Sequence, residues 1–173
     1  MTPIPYAVRA LYRTLGDELP ARIDALNAGK TEDQKTLVAP RLYAHDLDAG
    51  GDLLSPGVWM KGATETPDPS SAGLHLVRLS LELVVPGSAG AADQTLDATF
   101  RMVGAIRETL RAGDGRGPWM IGGAEDGANI VRCYPRQWQV QPHVWTLPIG
   151  GAAGMPFGRA MPAFEIKVWD PDQ

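Results

Sequence analysis

The sequence predicts an α+β fold: a mainly antiparallel or mixed β-sheet packed by an N-terminal helix and a central amphipathic helix. Three stretches carry that expectation. Val77, Leu79, Leu81, Leu83 and Val85 alternate with Arg78, Ser80 and Glu82, which is the period-two pattern of a strand with one buried face. Leu96, Phe100, Val103, Ile106 and Leu110 then recur at spacings of three and four, the stripe of an amphipathic helix. Near the C-terminus Phe164, Ile166 and Val168 alternate with Glu165 and Lys167 and form a closing strand.

A chain of 173 residues is the size of one domain and can bury a core without disulfides or metals. The expectation is therefore a single α+β domain over 1–173. The 20 glycines and 15 prolines imply long connections between regular elements, expected near 48–73 and 148–162.

The elements follow in order. Val8, Leu11, Tyr12, Leu15 and Leu19 lie at helical spacing after Pro3 and Pro5. Pro20 lacks an amide hydrogen, which predicts a bent helix or two short ones. Ile23 and Leu26 continue the apolar stripe until Asn27, Ala28 and Gly29 stop it. Thr31 to Gln34 fit either a capping box or a polar linker. A first strand is expected over 42–47, then a short strand or hairpin return around Val58, Trp59 and Met60, and a loop tip over 67–73.

The central strand covers 74–85, with Arg78, Ser80 and Glu82 turned to solvent or a partner. Asp93 is the expected N-cap of the helix behind it. Burial of its five apolar residues, at roughly 1.5–3 kcal/mol each, outweighs the weak helix preference of Thr95, Thr99 and Gly104. That helix should pack on the preceding strand. Two more strands are expected at 130–134 and around Trp138, Val140 and Val144, the second confined by Pro142 to an edge or bulge. A loop over 150–158 then leads to the closing strand.

Composition excludes several functions. Sixteen basic residues against 20 acidic ones give a net charge of −4, without the clustered cations that displace counterions from nucleic acid. The N-terminus shows no basic stretch followed by an apolar run, and nowhere do about 18 apolar residues run together. The expectation is a protein with no visible export signal and no membrane span.

Candidate chemistry is sparse. Cys133 is alone and sits in a strand-like stretch, so it reads as a small buried apolar group. Asp46, Asp48 and Asp52 offer oxygen donors at loop spacing, but Gly57 stands where a calcium loop needs a bidentate acid. The stretch is expected to be a solvated acidic turn. Gly113, Gly115 and Gly117 follow a helix rather than open one, so they form a stop and not a phosphate cradle. His45, His75 and His143 have no ligand-spaced companions and are expected at the surface or an interface. The five tryptophans, Trp59, Trp119, Trp138, Trp145 and Trp169, are expected as core or interface anchors. No catalytic, cofactor-binding or metal residues are expected.

The order of elements resembles the tail terminator proteins of tailed bacteriophages. The opening helix over 8–15, the central strand over 76–84, the helix over 95–110 and the closing strand over 163–168 carry that resemblance. It implies a non-enzymatic virion protein that forms a homo-oligomeric ring, typically a hexamer. The ring would cap the tail tube at its head-proximal end and join the head–tail connector, after assembly in the host cytoplasm. The implied partners are further copies of the chain, the tail tube protein and connector proteins, with DNA passing through the lumen without sequence-specific binding. No cofactor and no membrane are implied. The candidate interface residues are Arg78, Ser80, Glu82, His143 and Trp145. Two other classes stay open: another tail, connector or baseplate component, which should be more β-rich with longer strands, and a small ligand-binding domain or enzyme with His45, Asp46 or His143 in a pocket.

Overall fold

A computed structural model describes residues 3–30, 37–46, 53–87, 91–111, 119–121, 132–140, 145–149 and 152–169. Helix α1 (Pro3–Asn27) opens the chain, followed by β1 (Arg41–Tyr43), β2 (Gly57–Pro67), β3 (Leu74–Pro86), α2 (Ala92–Leu110), β4 (Trp119–Met120), β5 (Arg132–Val140), β6 (Trp145–Ile149) and β7 (Ala152–Trp169). The strands form one seven-stranded sheet in the order β1-β2-β3-β7-β5-β4, with β6 also paired to β7. β1 is parallel to β2 and every other pairing is antiparallel. This is the expected single-domain α+β fold.

Both helices lie on one side of the sheet, in contact with each other and with β3 and β7. Leu11, Leu15, Leu19 and Ile23 of α1 meet Met102, Ile106 and Leu110 of α2 over Val77, Leu79, Leu81, Leu83, Phe164, Ile166 and Val168, all buried. The alternation in β3 therefore does what the sequence required of it: its odd-numbered residues line the core.

Helix α1 is continuous through Pro20. Pro20 and Gly16, whose carbonyl loses its partner at Pro20, are both exposed. Water can satisfy that carbonyl, while the buried stripe on the opposite face holds the helix together. The helix ends as expected at Gly29, whose φ of 78° is the left-handed conformation of a helix stop. Asn27 fastens the next segment, donating to the Leu37 carbonyl at 2.8 Å and accepting from the Leu37 amide at 2.9 Å. Leu26 is 39% exposed and does not extend the buried stripe.

Helix α2 presents a rotated face at its N-terminal end. Phe100, expected inside, is 52% exposed and Leu96 only half-buried. Thr95 and Thr99 occupy the buried positions instead. Their hydroxyls donate back to the carbonyls of Ala91 and Thr95 at 2.8 and 2.7 Å, so neither is buried unsatisfied. The close approach explains the choice: a Cβ on Gly158 of β7 or on Gly87 would collide with the Thr99 or Thr95 side chain, leaving no room for Phe or Leu. Asp93 does not cap the helix. Helix α2 starts at Ala92 without a side-chain cap, and Asp93 sits in its first turn, where the helix dipole favours an acid.

The strands are longer than their composition suggests. β2 runs for 11 residues and β7 for 18, so much of the two expected loop regions is sheet. In β2 the alternation fades after Met60 because both faces become polar or small. β7 was hidden by Gly154, Pro156, Gly158 and Pro162. Pro162 has no N–H to contribute to a ladder, and the recorded β3 pairing skips from Ala163 to Ala160 around it. The β5 register shifts between Pro135 and Trp138 beside the same point. β5 is one strand where two were expected, and β1 runs over Arg41–Tyr43, so it takes in only 42 and 43 of the expected 42–47. The tip between β2 and β3 is a tight turn as expected, closed by the Asp68 amide to the Leu74 carbonyl at 2.8 Å. The expectations for 31–34, 47–52, 113–117, Ile130, Val131 and 141–144 lie outside the described residues.

Candidate functional site

The side of the sheet away from the helices is built from the other phase of β2, β3 and β7. Its rows follow from the registers: Thr66, Leu76 and Lys167; Thr64, Arg78 and Glu165; Gly62, Ser80 and Ala163; Trp59 beside Glu82; and Gly57, Val84 and Arg159. These rows divide into three zones.

At one end lies a second small core of Trp59, Val84 and Phe157, flanked by Tyr43 and Leu53. The Trp59 ring lies where a Cβ on Gly57 would be, so glycine at 57 allows the indole to lie flat on the strand. Tyr43 stacks on it with ring centroids 4.7 Å apart. The Tyr12 hydroxyl of α1 donates to the Tyr43 carbonyl at 2.7 Å, and burial pushes the Tyr12 pKa up. Trp59 is thus the expected core anchor, while Trp169 is 38% exposed.

The middle zone holds a buried carboxylate. Glu82, expected to face solvent or a partner, is only 1% exposed. It pairs with Arg159 of β7 and with Lys61 of β2 at 3.4 Å. Lys61 also lies 3.4 Å from Asp46. The negative charge of Glu82, followed by the hydrogen bond to Asp46, holds the Lys61 pKa above its ordinary value. Lys61 reaches this position because β2 bulges between Met60 and Gly62, placing an extra residue opposite β3. Periodicity missed this cluster because a strand pattern gives a side, not a depth. The cations and the bulge that cover Glu82 come from other segments.

The third zone is open. Gly62, Thr64, Thr66, Arg78 and Ser80 are exposed, and Arg78 reaches Glu165 at 3.3 Å. Beside them, the Asp68 carboxylate accepts hydrogen bonds from the Ser70 hydroxyl and amide at 2.6 and 2.9 Å and from Lys167 at 3.0 Å. These donors, Ser70 foremost, hold its pKa down at about 2. The zone continues to the border of the sheet, because β1 covers only Gly57, Val58 and Trp59 of β2. Among the described residues no strand pairs with β2 beyond that point.

Of the five candidate interface residues, Arg78 and Ser80 lie side by side on the open zone, and Glu82 lies beneath its far end. Trp145 belongs to β6 and pairs with Phe157 in register; His143 lies outside the described residues. Two expectations about reactive side chains divide. Cys133 is buried as expected, and burial raises its pKa to about 12, so it is a thiol and not a thiolate nucleophile at neutral pH. His75, expected at the surface or an interface, is buried within the chain at the sheet end with Nδ1 2.9 Å from the Glu65 carboxylate. Among the described residues, no three His, Cys, Asp or Glu side chains are grouped to hold a metal ion. No described helix is long and apolar enough to cross a membrane.

What this surface can do is present a polar face, fixed by ion pairs, next to a stretch of β2 backbone that no described strand pairs. Comparison with protein-family models and with curated proteins finds no match.

Proposed function

We propose that the protein is a structural component of a tailed-phage particle, a tail terminator whose copies join edge to face into a ring at the head-proximal end of the tail tube. The observation that carries this reading is the one-sided sheet, whose polar outer zone around Arg78 and Ser80 runs into the part of the β2 edge that no described strand pairs. A face and an edge are different surfaces, so their contact is heterologous and closes into a ring when the rotation allows. The edge is guarded against indiscriminate pairing by the bulge at Lys61 and by Pro67, which leaves a short defined stretch between them. The order of elements supports the same reading. The function needs no nucleophile or cofactor, and a net charge of −4 suits a lumen through which DNA slides without sticking. The partners would be the tail tube protein below and the connector above.

The test is sedimentation with negative-stain microscopy of the purified chain and of the double variant Arg78→Glu, Ser80→Trp. The reading expects closed rings for the parent and folded monomers for the variant. A parent that stays monomeric at assembly concentrations sinks it. One observation favours a second reading: β7 spans 18 residues and β3 spans 13, and long strands suit a tail-tube or baseplate component. That protein would stack into open tubes or sheets where a terminator stops at one ring.

A further inference from the structure

We draw no further inference here: the strongest candidate, the groove between the end of α1 and the middle of α2 lined by Arg22, Leu26, Arg101 and Arg107, carries nothing, because Arg101 and Arg107 have partners within the chain, Asp97 for Arg101 among them, and nothing in the structure shows what covers it.

Discussion

The inner face of the sheet buries Val77, Leu79, Leu81, Leu83 and Val85 under two helices, while the outer face, one residue out of phase along the same strand, carries Arg78, Ser80, Glu82 and Val84. Inside, every position of β3 has the same fate. Outside, neighbouring positions diverge: Arg78 and Ser80 are exposed, Glu82 is sealed by Arg159 and Lys61, and Val84 joins a second core with Trp59. Alternation decides which side a residue faces. What lies on that side decides how deep it is, and only the inner side is covered uniformly.

The widest contrast is between two neighbours. Leu81→Asp puts a carboxylate with no counter-charge among Leu79, Leu83 and the helices. It should cost about 4 kcal/mol or more, enough to abolish the cooperative urea transition. Ser80→Asp, on the exposed side, should stay within about 0.5 kcal/mol of the parent. Equal effects of the two would show that the phase of β3 is wrong.

Within the outer face the contrast is between Glu82 and Arg78. Glu82→Ala leaves the Arg159 and Lys61 cations facing each other without the carboxylate between them. Removing one member of a fully buried pair costs about 3–5 kcal/mol, but these cations are 28% and 32% exposed, so solvent reduces the expected loss to roughly 1–3 kcal/mol. Arg78→Ala breaks a pair with a side chain 67% exposed and should change urea stability by less than about 0.5 kcal/mol. Adding Arg159→Ala to Glu82→Ala should recover part of the loss, and no recovery would mean that Glu82 acts through packing alone.

The same distinction explains what the sequence could reveal. The class of fold, the core side of β3 and the burial of Cys133 follow from local period and residue type, and all three were legible. The length of β7 was not, because glycine and proline usually mark loops, whereas here neighbouring strands on both sides hold them extended. The burial of Phe100 was expected from helical spacing and failed because Gly158 brings β7 too near for anything larger than threonine. For the candidate surface, Arg78 and Ser80 were legible as outward residues. Lys61, Arg159 and the sealing of Glu82 were not, since those partners lie 21 and 77 positions from Glu82 in the chain, and no local pattern reports contacts at that range.

The smallest expected effect lies at the open end of the same face, where the Asp68 carboxylate is buried and held first by the Ser70 hydroxyl and amide and then by one cation, Lys167. The Asp68 pKa stands at about 2 against an ordinary 3.8, chiefly through the Ser70 hydroxyl and amide, with Lys167 adding to them. A depressed folded-state pKa means that the proton binds the unfolded chain more readily. The stabilisation is therefore complete above the ordinary value and is lost as pH falls through about 2. Between 3.8 and about 2, the urea midpoint of the parent should fall more steeply than that of Asp68→Asn, which cannot titrate at this position. Above that window the two curves should run parallel, displaced by whatever the neutral amide forfeits towards Lys167. If the slopes match below 3.8 as well, the hydrogen bonds of the β2–β3 turn persist in the unfolded chain, and the open zone owes its rigidity to Arg78 and Glu165 instead.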